Sequence, residues 1–119
     1  MRSMRIAMLL TLFTLLLGAR AARAQSTVIF SSTVQSVRVD FSGYGYVTFA
    51  SAPAGNSSAP CVASGYGHVL AFDTNTSGGK AVYALVLAAK LSSGTVYAVG
   101  SGSCPIYGIV ESWLWGEAR

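Results

Sequence analysis

The chain has 119 residues, of which 52% are hydrophobic, and its formal net charge is +4. Four of the eight basic residues lie within positions 1–24, and the remainder carries four basic and four acidic side chains. Nucleic-acid binding depends on several lysine or arginine contacts to phosphates, so a neutral domain argues against a nucleic acid as partner.

Residues 1–24 have the three-part pattern of a secretory signal peptide. Two arginines precede an apolar run at 6–17, and small residues follow it and end in Ala22-Arg23-Ala24. The run is shorter than the roughly 20 apolar residues that span a membrane. We therefore predict cleavage after residue 24, with a retained anchor as the alternative. The prediction is a secreted or periplasmic protein without membrane insertion, with a single domain over residues 25–119.

The predicted domain contains two cysteines, Cys61 and Cys104. An oxidising compartment favours a disulfide between them, and two unpaired buried thiols are the alternative. The chain has only one histidine. Too few ligands then remain for a zinc site, so we expect no metal and no cofactor.

Alternating apolar residues and turn signals predict five strands. They are expected at 34–41, at 44–50, from near Cys61 through 68–72, at 95–100 and at 109–115. Ser42-Gly43 supplies the turn of the first hairpin, because glycine accepts the positive φ of tight turns.

The segment KAVYALVLAAKL predicts a helix over about 77–91, with Thr76 as its N-cap and Ser92-Ser93-Gly94 as its stop. In this stop, the glycine is expected to take the left-handed position.

The apolar side chains of this helix cover an arc of roughly 220° at about 100° per residue. A small sheet covers about half a helix. The helix therefore either lies deep in the fold or meets another subunit, and Val82, Val86 and Ala89 are the candidate oligomer contacts.

The order β-β-β-α-β-β within one small domain is that of an OB-fold. This fold is a mainly β, five-stranded, partly open barrel whose helix plugs one end. A small sandwich, or an open antiparallel sheet with the helix on one face, is the alternative.

Five aromatic residues exceed what a small core requires, and they are the candidate ligand-binding residues: Tyr44, Tyr46, Tyr66, Trp113 and Trp115. Aromatic faces stack on sugar rings and also anchor subunit interfaces. Packing at the core or its rim, glycan contact and oligomer contact all remain open.

The sequence predicts no catalytic residue and a protein that is not an enzyme. A small secreted hydrolase that uses His68 with Asp73 or Glu111 is the alternative, although no serine lies in a G-x-S-x-G elbow. An envelope structural protein or an inhibitor is a third reading.

The region 34–115 also carries a resemblance. Cys61 precedes the helix segment, Phe72-Asp73-Thr74-Asn75-Thr76-Ser77-Gly78-Gly79-Lys80 leads into it, and Gly100-Ser101-Gly102-Ser103-Cys104 and Glu111-Ser112-Trp113 follow it. This arrangement resembles uncharacterised secreted bacterial proteins that are similar to the B subunit of subtilase cytotoxin. The resemblance implies a toxin-type OB-fold, pentamer formation through the helix and edge strands, and a glycan-binding surface. No sugar-contacting residue is carried over.

Overall fold

The computed structural model describes residues 29–51 and 59–119, so the predicted signal peptide lies outside the described residues. The predicted class and element order are confirmed: the described residues form five strands and one helix. These elements are β1 (Ile29–Val39), β2 (Tyr44–Phe49), β3 (Val69–Asp73), α1 (Ser77–Ser92), β4 (Thr95–Gly100) and β5 (Trp113–Ala118).

All five strands belong to one antiparallel sheet in the order β3-β2-β1-β4-β5. The central strand β1 pairs with β4 through residues 29–33 and with β2 through residues 34–39. Its register shifts between Val34 and Ser36, and an irregularity of this kind bends a strand.

The two edges of the sheet approach each other at one point, where β3 meets the residues that directly precede β5. The Ala71 N–H donates to the Glu111 carbonyl at 2.8 Å, and Ala71 forms an isolated parallel bridge with Ser112. The sheet is otherwise not closed, so the OB-fold order is present without a complete barrel.

Three of the five strands begin at a residue other than the one predicted. β1 begins at Ile29 and not at residue 34. The prediction missed its first half because a buried serine, Ser32, interrupts the apolar pattern there. The segment near Cys61 contains no strand, and β3 starts only at Val69. β5 begins at Trp113 rather than at residue 109.

The ends of α1 show one confirmed prediction and one wrong one. The Thr76 hydroxyl accepts a hydrogen bond from the Gly79 N–H at 3.0 Å, so Thr76 is the N-cap. At the other end the left-handed residue is Ser93, with φ of 56°, and not Gly94. The Gly94 N–H instead bonds to the Ala89 carbonyl at 3.0 Å.

The main core lies between α1 and the sheet. The rings of Phe30 and Phe49 stack with their centroids 4.5 Å apart. Val86 and Ala89 are fully buried against this cluster, and Val82 packs at its margin. Two of the three candidate oligomer contacts therefore pack inside their own chain, because burial leaves Val86 and Ala89 no surface for another subunit.

The opposite face of β2 and β3 is covered by a second layer. The connection at 101–112 packs there on Val69 and Ala71 through Val110 and Ile106. The predicted disulfide is confirmed, with Cys61 and Cys104 Cα atoms 6.1 Å apart. It fastens this connection to the segment that precedes β3. No helix among the described residues combines the length and the apolar character needed to cross a membrane.

Candidate functional site

Three tyrosines meet a charged pair at the end of the β1–β2 hairpin. The ring of Tyr107 meets Tyr44 and Tyr46 edge to face, with centroid distances of 6.1 and 5.8 Å. Arg38 and Asp40 complete this group, which we call the tyrosine cluster.

The sheet register accounts for most of this arrangement. Arg38 is the cross-strand partner of Tyr46, and such partners share one face of the sheet. On its other side Tyr46 pairs with Ala71. The small, buried alanine leaves space on this face for the connection that carries Tyr107.

Hydrogen bonds fix the polar groups of the cluster. The Tyr107 hydroxyl donates to Asp40 Oδ2 at 2.6 Å, and Arg38 Nε donates to Asp40 Oδ1 at 2.6 Å. Arg38 also donates to the Tyr46 hydroxyl at 3.1 Å, with its guanidinium carbon 5.3 Å from the centre of that ring. Both oxygens of Asp40 thus have a partner.

These bonds set the protonation states of the cluster. The hydrogen bond from Tyr107, followed by the one from Arg38, lowers the pKa of Asp40. Burial, reinforced by the bond to Asp40, raises the pKa of Tyr107, and the bonds to Tyr46 and Asp40 raise the pKa of Arg38. At neutral pH Asp40 and Arg38 are therefore charged, and Tyr107 keeps its proton. A general acid or base, in contrast, works with a pKa near the operating pH.

The cluster is open to solvent. Tyr44 exposes 37% of its surface, and Arg38 is also exposed. An aromatic ring and a guanidinium group of the cluster are therefore both accessible to a ligand.

Comparisons of this chain with protein-family models, curated proteins and solved structures found no match. The resemblance to the toxin B subunit stays a prediction. A fold alone does not specify a function, whereas the geometry of a site restricts what it can bind.

The structure brings together only some of the predicted ligand-binding residues. Tyr44 and Tyr46 belong to the tyrosine cluster, and Tyr66 packs in the layer beside it. Trp113 and Trp115 instead line an apolar groove of about 490 Å³ beside α1. The Trp115 ring lies 5.5 Å from that of Tyr97 and is 50% exposed.

Sequence reasoning missed Arg38, Asp40 and Tyr107. Arg38 and Asp40 alternate with the apolar residues Val37, Val39 and Phe41, and this pattern is the available signal for these two. Tyr107 had no comparable signal, because it reaches Asp40 from 67 positions away.

The carboxylates of the hydrolase alternative take part in local structure. Asp73 Oδ1 accepts hydrogen bonds from the Asn75 backbone and side-chain nitrogens at 2.9 and 2.8 Å. Glu111 is fully buried, and its Oε1 accepts from the Gly102 N–H at 2.8 Å. His68 is half-buried. Within residues 29–51 and 59–119, no three His, Cys, Asp or Glu side chains are grouped to hold a metal ion.

Proposed function

We propose that the protein is an exported, non-enzymatic binding module that binds a glycan at the tyrosine cluster. The supporting observation is the exposed Tyr44 ring, which contacts Tyr107, the residue that hydrogen-bonds to Asp40 of the Arg38–Asp40 pair. A sugar ring presents C–H groups on its face and hydroxyl groups at its edge. The electron-rich face of a tyrosine suits the first, and charged hydrogen-bonding groups suit the second.

The internal bonds of the cluster favour binding. Arg38, Asp40, Tyr46 and Tyr107 are already held to one another by hydrogen bonds. A ligand therefore has fewer free rotamers to order when it binds, and this lowers the entropic cost of association.

Export is the second element of the proposal. The Cys61–Cys104 disulfide supports it, because disulfides form and persist in oxidising compartments. N-terminal sequencing of protein recovered from the producing cells tests the predicted cleavage after residue 24, and recovery of the intact N-terminus in the cytoplasm would contradict it.

A glycan array with oxidised protein tests the binding element, followed by titration of the best glycan. We expect Tyr44→Ala to weaken binding about tenfold, because it removes the exposed ring without deleting a side-chain hydrogen bond to Arg38 or Asp40. Trp115→Ala is the matched control, since it removes another exposed aromatic at a distant strand. An array without hits, or an equal loss in both variants, would refute the proposal.

We also infer self-association through the outer face of α1. Four apolar residues on this face are exposed at spacings of three and four positions: Ala81, Ala84, Ala88 and Leu91. Leu91 is 86% exposed, and an apolar stripe of this kind on a helix normally packs against another surface.

Analytical ultracentrifugation tests this inference. Leu91→Lys is expected to shift the protein to monomer, because it places a charge in the contact. Phe41→Lys changes an exposed apolar residue on the hairpin and should leave the assembly intact. A wild-type protein that is monomeric at high micromolar concentration rules self-association out.

A further inference from the structure

The apolar groove beside α1 follows the two facing edges of the sheet. Its walls include consecutive residues of β3, at 71–73, and consecutive residues of β5, at 113–116. Successive side chains of a strand point to opposite faces, so such runs can line one groove only along a strand edge. Val82 and Leu85 of α1 form its base. We call this groove the seam, because it lies where the sheet does not close.

Hydrogen-bond alternation shows which peptide groups face the seam. Thr95 and Arg119 exchange two backbone hydrogen bonds, of 3.1 and 2.7 Å. Bonded and non-bonded pairs alternate along an antiparallel ladder. Glu117, two residues from Arg119, therefore also bonds to β4. The peptide groups of Gly116 and Ala118 therefore point away from β4. Gly116 lines the seam, and Ala118 continues the same strand edge just beyond it.

The opposite wall of the seam has fewer backbone groups to offer. The Asp73 carbonyl already accepts from the Thr76 N–H at 3.2 Å and from the Thr76 hydroxyl at 2.8 Å. Gly79 packs directly against the same carbonyl. Hydrogen bonding in the seam is therefore available along β5.

The seam-facing positions of β5 also lack the usual protection of an edge strand. Such edges commonly carry a charge or a proline that discourages pairing. Gly116 and Ala118 are uncharged, and the charged Glu117 and Arg119 occupy the alternate positions and pair with each other. Leu114 is 57% exposed.

We propose that the seam binds an extended peptide strand, which pairs with the free edge of β5 and places alternate apolar side chains in the groove. An apolar small molecule or a lipid chain fills the groove but leaves the peptide groups of Gly116 and Ala118 without a partner. A peptide strand satisfies both features, since main-chain bonds give affinity and pockets select alternate side chains. The edge from Leu114 to Ala118 accommodates about five residues, or about 16 Å of strand.

The test uses a fluorescein-labelled, end-blocked octapeptide with alternating valine and threonine and a lysine at each end. Fluorescence anisotropy should show saturable binding to the oxidised protein. A peptide with the same sequence and N-methyl groups on all its backbone amides should not bind, because it cannot donate to β5.

Two variants test whether the peptide binds at β5. Ala118→Pro removes an N–H that β4 does not use, and it should weaken binding about five- to tenfold. Ala118→Ser keeps that N–H and should bind as the wild type does. Leu114→Ser should weaken binding about threefold. Because Leu114 is exposed, this variant tests the proposal even if Ala118→Pro does not fold.

Three results would overturn the proposal. The first is no saturable binding by the wild type, and the second is equal affinity for the N-methylated peptide, which would indicate a site for apolar chains in general. The third is a wild-type dimer that Ala118→Pro dissociates, which would assign the edge to a second copy of this chain.

Discussion

The hydroxyl of Tyr107 reaches Asp40 Oδ2 at 2.6 Å and joins the 101–112 connection to the β1–β2 hairpin. Without this contact, Tyr44 and Tyr46 would be two surface residues of one strand. With it, three rings and a charged pair form a single surface.

Replacement of Tyr107 by phenylalanine removes this hydrogen bond and keeps the ring. We expect a loss of about 1 kcal/mol in the free energy of unfolding, measured in urea, because a partly exposed bond to a carboxylate is lost. Glycan affinity should fall severalfold as the ring loses its fixed position. Tyr97→Phe, on the other half of the sheet, is the control, and equal effects of the two variants would count against this account.

The stability of the protein should depend on pH through Asp40. The pKa of this carboxyl is lower in the folded protein than its ordinary value of about 3.9, so its contribution is fully present above that value. The contribution is then lost as the pH falls through the lower folded pKa. Urea unfolding between pH 6 and the acid limit should show this loss, and Asp40→Asn should reduce it. An unchanged acid dependence in Asp40→Asn would disprove the assignment.

Removal of the disulfide should destabilise the protein strongly. Cys61 and Cys104 are 43 positions apart, and closure of such a loop is worth about 4 kcal/mol in the chain-entropy account. The double serine variant should lose stability of that order in urea, and its 101–112 connection should become more sensitive to protease. A loss below about 1 kcal/mol would show that the second layer holds itself in place without the bridge.

Alanine substitutions at two adjacent glycines near the start of α1 should change the stability of the protein in opposite directions. A Cβ at Gly79 would overlap the Asp73 carbonyl, whereas a Cβ at Gly78 meets no heavy atom within 4 Å. Gly79→Ala should therefore cost about 3 kcal/mol or more, because the overlap is with backbone. Gly78→Ala should stabilise the helix by up to about 1 kcal/mol. Thermal unfolding of both variants tests the pair, and a shift in the same direction would contradict the packing described.

The elements that sequence predicted well are those set by local chemistry. The Thr76 cap depends on a hydroxyl three residues before Gly79. The hairpin around Gly43 depends on a turn residue with positive φ. Neither depends on distant parts of the chain, so each can be recognised in a short window of sequence.

Two of the errors arose where a polar residue is buried. Ser32 is buried because its hydroxyl pairs with that of Ser51 at 2.9 Å and accepts from the Ser51 N–H. Hydrophobic alternation therefore failed to show the first half of β1. The fifth strand was predicted to begin at residue 109, but the buried Glu111 belongs to the 101–112 connection and not to a strand.

The candidate site was only half predictable for a related reason. Tyr44 and Tyr46 belong to one strand, and the aromatic content of that strand is visible in sequence. Tyr107 is delivered by a connection whose path is fixed by the disulfide and by the packing of Val110 on Ala71. Such a path cannot be inferred from local patterns.

The tight turn between β3 and α1 gives the seam two walls of unequal stiffness. The Asp73 carbonyl, the Thr76 cap and Gly79 lock strand and helix together, so this wall moves as one body. Beyond the bridge at Ser112, the backbone of the facing wall β5 pairs with β4 alone within the described residues, although Trp113 packs against the core. A guest that widens the seam would therefore displace β5 and leave the helix where it is.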